Sequence, residues 1–385
     1  MTNDVSRRVE GIVAEGLATV FGAVAWAWAW RADLAWSERH VAIDHFALDD
    51  DAAAVARIWR IFALGVGLVM IVLVRPALGR WVRRVGAREA LLASGRIVIA
   101  LLLALVTSEG ALAYARSHAH RVDPLKTEDR IGQPDPRYGW VWQPSRATVL
   151  RTAGRTIEYA INADRDRARS VNDVPDPALP TVLIAGESIG AGHGLPWNDT
   201  FPALVGDALG IQVVTLAVHG YGSDQAFLRL VDELPRFDRP VALVTVFMPC
   251  MIWRMTRSDH PHVSLDGDSL TVFPPLKTWR DLALGDLWLH RVRYDSDAAV
   301  TQAAALFRQT ARLAAARGAK VLFVRPYYGA RESDPLVDEL FTRQGIPCVT
   351  VDVGADVLPY DHHPDAKATR RIADAIASAL ALGGA

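Results

Sequence analysis

Three short stretches of this 385-residue chain hold residue types that chemistry needs. In YDHHPDAKATRRIADAI, Asp361 stands two residues before His363, where a helical pattern begins. An acid so near an imidazole fixes its tautomer and stabilises its charged form once the loop brings the two into contact. In GESIGAGHG, Ser188 falls where a strand turns into a helix, a place where a hydroxyl can be held against helix N-terminal amides. In HGYGSDQ, Gly220 and Gly222 let backbone amides come close to a bound group. Each stretch also has a plainer reading, with Ser188 as a helix cap and the glycines as a turn.

The elements around these stretches decide whether they can meet. After Pro180 come solidly apolar runs, TVLIAG (181 to 186), QVVTLAV (212 to 218), VALVTVFM (241 to 248), KVLFVRP (320 to 326) and PCVTVDV (347 to 353). Runs of this kind suit strands buried on both faces. Helical patterns separate them, in FPALVGDALG, SDQAFLRLVDEL, AAVTQAAALFRQTARLAAARG and KATRRIADAIASALAL. Alternation of this sort predicts an α/β fold, a parallel sheet with helices on both faces, whose function gathers at the C-terminal strand ends. Ser188 and Gly220 both follow such ends. Ahead of the sheet, TVLRTAGRTIEYAINA (148 to 163) alternates polar and apolar residues around an Ala-Gly turn and predicts a β-hairpin.

The order Ser188, Gly220, Asp361, His363 brings a family into view. From about Pro180 to Leu382 the chain resembles the SGNH, or GDSL-like, hydrolases, whose first block is Gly-Asp-Ser and whose last is an Asp closely followed by His-Pro; here they read GESIGAG and DHHPDA. The stretch GESIGAGHGLPWNDTFPALVGDAL is similar to members whose serine block leads into a Gly-rich turn and a Thr-Phe-Pro helix start, and DPRYGWVWQPS to the lead-in of many bacterial members. The resemblance implies a flavodoxin-like sheet, Ser188 as nucleophile, His363 as its base and Asp361 as the orienting acid. It also implies an oxyanion hole from the backbone N–H groups of Ser188 and Gly220. A serine hydroxyl is a poor nucleophile until a base takes its proton, and donors aimed at a developing oxyanion contribute several kcal/mol, so both demands have candidates. Two positions depart from the pattern. Glu187 stands where the family has Asp, and Cys250, in VFMPCMIWRM, where a third block supplies an Asn donor. A thiol donates far more weakly than an amide. Asn198 and Arg254 are substitutes by residue type.

Other candidates carry less. His362 adjoins His363 as a rival base, though the His-Pro step of the family favours His363. His193 and His219 flank the glycine blocks and read either as pocket lining or as exposed loop histidines. Cys250 has no activating base nearby, and Cys250 and Cys348 fall at opposite edges of the predicted sheet, so neither a thiol nucleophile nor a disulfide is expected. SDHPH (258 to 262) lacks further metal ligands at a recognisable spacing, as do His40 and His45 in their acidic loop. No metal and no cofactor is expected.

The first third has a different character. GIVAEGLATVFGAVAWAWAW (11 to 30) runs twenty residues with one ionisable group, Glu15, and matches the ~20 residues that cross ~30 Å of hydrocarbon. Apolar runs at about 58–79 and 91–114 follow, the latter with Arg96 and Glu109 near enough to its ends to snorkel. A cleaved signal peptide is the alternative for the first run alone, and the two later runs would still anchor the product. Arg7, Arg8, Arg75, Arg80, Arg83, Arg84 and Arg88 mark cytoplasmic segments, whereas Asp44, Asp49, Asp50 and Asp51 lie between the first two spans. Positive residues stay inside, so three spans send everything after about Ser117 out. Trp26, Trp28 and Trp30 then sit at the outer interface.

The chain is therefore expected to form a membrane anchor (1–116) with three transmembrane helices, a linker and hairpin lead-in (117–179) and an SGNH-like hydrolase domain (180–385). Its place would be a bacterial inner membrane with the N-terminus cytoplasmic and the C-terminal domain periplasmic or extracellular. Lysine occurs only at 126, 277, 320 and 367, against many arginines, which points to a GC-rich bacterial genome. A net charge of −1 with 51% hydrophobic residues excludes a nucleic-acid-coating or disordered chain. The expected partners are the lipid bilayer and an acyl ester, with a cell-surface glycan as one carrier of it. Three function readings remain open: a membrane-anchored extracytoplasmic serine esterase working through an acyl-serine, an O-acyltransferase using the same residues with a membrane partner, and a non-catalytic carbohydrate-binding or assembly protein on a degenerate fold.

Overall fold

A computed structural model describes residues 2–32, 49–118, 126–127, 131–152, 155–257, 260–267, 269–275, 296–329, 335–359 and 361–381. His40, His45, Asp44, Ser258, Asp259 and the Ala153-Gly154 turn lie outside the described residues. The described chain divides into two compact units, the N-terminal helices and the α/β body.

The first unit contains α1 (Thr2–Arg31), α2 (Asp49–Val69), α3 (Arg75–Val85) and α4 (Ala87–His118). A π turn, Met70–Val74, joins α2 to α3 just before Pro76, which has no N–H to return to Val72. Three stretches, Asp4–Arg31, Arg57–Val85 and Ala87–Ala111, are long and apolar enough to cross a membrane. Helices α1 and α2 touch at glycines: a Cβ on Gly22 would lie 3.0 Å from the Gly67 carbonyl oxygen, and one on Gly67 2.8 Å from that of Gly22. Small residues at such a crossing let backbones approach where lipid gives no hydrophobic drive to associate. Glu15, the acid inside the first apolar run, lies 2.8 Å from Arg83 and 3.8 Å from Arg75. An acid among apolar residues needs such partners to avoid an uncompensated charge.

The body is a mixed α/β unit. Its early strands are β1 (Lys126–Thr127), β2 (Gly132–Asp135), β3 (Gly139–Trp142), β4 (Arg146–Thr152), β5 (Arg155–Ile161) and β6 (Arg167–Ala168). Then follow β7 (Thr181–Ala185), α5 (Phe201–Leu209), β8 (Gln212–Thr215), α6 (Ser223–Glu233), β9 (Pro240–Val246) and α7 (Cys250–Arg254). The chain continues through β10 (His262–Asp266), β11 (Ser269–Phe273), α8 (Ser296–Ala316), β12 (Lys320–Tyr327), α9 (Pro335–Val337), β13 (Cys348–Asp352) and α10 (Ala366–Ala381). Nine strands form one sheet in the order β1-β4-β5-β6-β8-β7-β9-β12-β13. Strands β8, β7, β9, β12 and β13 run parallel; β4 and β5 pair antiparallel from Arg146↔Ile161 to Thr152↔Arg155, and β6 joins them to β8 at Arg167↔Thr215.

Successive side chains of β7 point to opposite faces, both covered, which explains why the strand is apolar from Val182 to Ala185. Val182 and Ile184 pack with Phe201 and Val205 of α5 and Ile372 and Ile376 of α10, while Leu183 and Ala185 pack on the other face with Leu230 of α6 and Ala314 of α8. Helix α5 begins on Thr200, whose hydroxyl accepts from Ala203 N, with Pro202 in the first turn where no N–H is needed. The middle of the sheet is thus clamped from both sides, and the loops leaving its carboxyl edge start from fixed points.

Candidate active site

Strand β7 lies between β8 and β9, so the loops after these strands part at its carboxyl end and leave a crevice there. Glu187 and Ser188 occupy that end, one residue past Gly186. Gly220, in the loop after β8, has φ +81°, and Trp140 of β3 lies 3.4 Å from where its Cβ would be, so only glycine fits the turn without strain. Trp140 and Trp142 donate their ring N–H groups to the carbonyls of His219 (2.9 Å) and Ala217 (3.0 Å), which fastens this loop from the side.

Asp361 and His363 arrive from the loop between β13 and α10. That loop is pinched by a bridge between Val357 and Pro364 and by Leu358 N donating to the His363 carbonyl at 2.7 Å. His362 takes a left-handed φ of 60° and is exposed, so the structure turns His363, not His362, toward the crevice. Its Nε2 lies 2.7 Å from Ser188 Oγ. On the other side of the ring, Nδ1 lies 3.1 Å from Asp361 Oδ2, off the line of an ideal N–H···O bond, and the His363 backbone N–H donates to Asp361 Oδ1 at 3.1 Å. The three residues that spacing singled out are brought together.

Glu187 is buried beneath the serine. Ser188 Oγ donates to its Oε2, Ile189 N donates to its Oε1 at 3.0 Å, and Arg254 Nη1 stands 3.5 Å from Oε2. Burial works to raise the Glu187 pKa, but Arg254, His363, the Ser188 hydroxyl and the Ile189 amide outweigh it and hold the group at about 2. Arg254 also donates to the Tyr221 carbonyl at 3.1 Å. Cys250, at the start of α7, belongs to the buried apolar cluster with Met248 and Met251. Asn198 sits exposed on the short turn Trp197–Asp199. Of the two substitutes by type, Arg254 is the one beside the serine turn.

Of the two readings left open for His193 and His219, the structure favours pocket lining over exposed loop positions. His193 is 4% exposed, and its Nε2 lies 2.9 Å from Asp361 Oδ2, the oxygen that also faces His363. His219 is half-buried, edge-on to Trp142 at 4.7 Å between centroids and to His193 at 4.6 Å. Burial pushes the pKa of both imidazoles down, that of His219 strongly, with the neighbouring histidines and Arg167 adding to the effect. Asp361 goes the other way: burial alone would raise it, but His193 and His363 hold it well below the usual carboxylate range. A histidine inside GAGHG carries no periodicity, so its burial depends on how the loop folds, which sequence alone does not fix.

Among the described residues, two groups each offer three potential ligand atoms within 4.8 Å of one another: His193, Asp361 and His363 in this site, and Asp224 of α6 with His260 and His262, the latter the first residue of β10. Asp224, distant in sequence from SDHPH, adds a third potential ligand atom beside its two histidines and lies 3.3 Å from His260.

No protein-family model matches the chain, and no curated protein matches it. Among solved structures it is similar to an acetyl xylan esterase from the rumen bacterium Butyrivibrio proteoclasticus, at 13% identity over 55% of this chain and 65% of that one, with a TM-score of 0.33. It is also similar to a putative lipolytic protein of the G-D-S-L family from Desulfitobacterium hafniense, at 10% identity over 51% and 98% of the two chains and a TM-score of 0.32. A carbohydrate esterase family 2 enzyme from Corynascus thermopiles shares 16% identity over 61% and 82%, with a TM-score of 0.34. The chain spans just under two thirds of the length of the acetyl xylan esterase.

Proposed function

We propose that the chain is a membrane-anchored serine esterase of the SGNH type that works outside the cytoplasm. In this reading residues 1–116 anchor it, 117–179 lead in and 180–385 carry the chemistry. The observation that carries it is the line Ser188 Oγ, His363 Nε2 at 2.7 Å, His363 Nδ1 and Asp361 Oδ2 at 3.1 Å, set at the carboxyl end of β7. The order of the parallel strands, β8-β7-β9-β12-β13, is the flavodoxin-like order 2-1-3-4-5 and supports the same reading.

The chemistry follows from these groups. As Ser188 Oγ attacks the ester carbonyl, its proton passes to His363 Nε2, and Asp361 stabilises the imidazolium that forms. The C–O bond to the alcohol then breaks, and the departing oxygen takes the proton back from Nε2, leaving an acyl-serine. Water repeats the sequence, with His363 again as base, and releases the acid. The backbone N–H groups of Ser188 and Gly220 serve the oxyanion. With Cys250 in place of an amide donor, turnover is expected to be slow, since one missing donor costs ~2.7 to 4 kcal/mol.

The test is turnover of a short-chain aryl acetate by the full chain in detergent beside Ser188→Ala and His363→Ala. Expected is turnover that either substitution lowers by at least about 10³-fold. Equal turnover in three folded proteins would remove the esterase reading.

A further inference from the structure

The carboxylate of Asp361 has two imidazole neighbours where acid–base chemistry asks for one. His193 Nε2 and His363 Nδ1 approach the same oxygen, Oδ2, at 2.9 and 3.1 Å, both off the line of an ideal N–H···O bond, and their rings lie 4.3 Å apart between centroids. His193 is also tied to the serine turn, because its backbone N–H donates to the Ser188 carbonyl at 2.9 Å. The contacts therefore close into a ring: Ser188 O to His193 N, His193 Nε2 to Asp361, Asp361 to His363 Nδ1, and His363 Nε2 to Ser188 Oγ at 2.7 Å. One side of that ring belongs to the turn after β7 and the other to the loop before α10.

The turn carrying His193 is built, not loose. Arg167 of β6, fully buried, donates to the carbonyls of Ala191, Gly192 and Leu195 and lies over the Tyr159 ring at 3.8 Å. Gly194 N donates to the Tyr159 hydroxyl at 2.8 Å. Beyond His193 stands His219, whose Nε2 is 3.4 Å from His193 Nδ1. The groups facing His193 are thus Asp361, His363, His219 and Arg167. A neutral imidazole has one donor and one acceptor, so a His193 that donates from Nε2 to Asp361 must accept at Nδ1, and His219 Nε2–H is there to donate.

We propose that His193 is a positioning residue that holds the Asp361 carboxylate, and through it His363, in line with Ser188. The proposal rests on the reading of Ser188, His363 and Asp361 as an acid–base centre. A carboxylate held at one end by the His363 backbone N–H alone can swing about its own Cα–Cβ bond. A second imidazole 2.9 Å from Oδ2, carried on the turn that bears the nucleophile, limits that rotation. Partners of this kind, which orient a working group without touching substrate, typically cost about 10- to 100-fold in activity when removed.

The experiment uses the full chain in lipid nanodiscs with ¹⁵N-labelled histidine, assigned with His193→Gln and His219→Gln. Expected is a His193 ring protonated at Nε2 and bare at Nδ1, with a downfield His363 Nδ1–H resonance that His193→Phe abolishes. Persistence of that resonance in a folded His193→Phe would overturn the proposal, as would a His193 protonated at Nδ1. Ring signals that move on chelation with EDTA would overturn it too, since they would mean that His193, Asp361 and His363 hold a cation. Kinetics supply a second arm. His193→Phe is expected to lower kcat about 10- to 100-fold with KM within about threefold, and His193→Gln, which keeps a donor, to recover most of the loss. Equal failure of the Phe and Gln variants, both folded, would mark a packing role and overturn the positioning role. Because the resonance arm needs no turnover, failure of the esterase reading, seen as equal turnover in wild type and Ser188→Ala, is distinguishable from failure of this one.

Discussion

At Ser188 a single hydroxyl proton faces two acceptors. His363 Nε2 is 2.7 Å away, and the Glu187 carboxylate lies within hydrogen-bond reach of the same hydroxyl. Glu187 is ionised down to about pH 2, so over the working range it is a charged acceptor and its bond to the hydroxyl is charge-assisted. Attack requires that bond to be given up so that the proton can travel to His363. The extra methylene of Glu relative to the Asp of the resembled pattern is what gives the carboxylate this reach. Glu187→Asp should keep the charge opposite Arg254 while drawing the carboxylate back from Oγ. We expect it to fold and to raise kcat by up to about tenfold, the equivalent of about 1.4 kcal/mol of hydrogen bond no longer broken on the way to attack. Steady-state kinetics with the aryl acetate decide this, and a fall in kcat would show that Glu187 assists the serine instead of restraining it.

Among the elements, β6 has a larger part than its two residues suggest. It joins the antiparallel strands to β8 and delivers Arg167 beneath the turn that bears Ser188 and His193. Arg167→Leu removes the donors of three buried carbonyls, and unsatisfied buried groups cost about 1–3 kcal/mol each. The expected outcome is a melting temperature at least several degrees lower, together with a loss of kcat from displacement of the turn; a thermal melt beside the aryl acetate assay checks both. An unchanged melt would mean that water replaces the guanidinium. The sequence shows none of this, because RARS has no periodicity and an arginine there reads as solvated. The five parallel strands are legible for the opposite reason: burial on both faces leaves solid apolar runs such as TVLIA. That Ser188, Asp361 and His363 should meet follows from their order along the chain and from the family resemblance it carries, and the structure brings the three together. His193, His219 and Arg254 are candidates by type or position only; the loop folds that bury the two histidines and the short helix α7 that brings Arg254 to Glu187 have no local pattern to place them. Cys250 shows the limit in another way: its position after β9 was readable, but not that it would join the core while Arg254, four residues on, stands by Glu187.

For the whole molecule, the decisive feature is the apolar surface of the first unit. Phe21, Ile61, Leu73, Ile99, Leu103 and Val106 are each more than half exposed, along with many like them, on helices long enough to cross a bilayer. Apolar exposure on helices of that length is consistent with a membrane anchor. Orientation then follows from charge. Arg7 and Arg8 precede the first span, and Arg75, Arg80, Arg83, Arg84 and Arg88 cluster around the turn between the second and third. Moving that cluster outward opposes the positive-inside preference, so the N-terminus and the turn at Gly86 should stay in the cytoplasm and the chain beyond the third span should leave it. Alkaline phosphatase, which folds only outside the cytoplasm, should be inactive when fused after Gly86 and active when fused after Ser117, while a green fluorescent protein fusion should give the reverse pattern. The opposite result at both positions would place the serine site in the cytoplasm and remove every extracytoplasmic ester from consideration as its substrate. For the esterase proposed above, the expected result would restrict the search for a substrate to acyl esters outside the cytoplasm, because an anchored site can meet only what reaches its own side of the membrane.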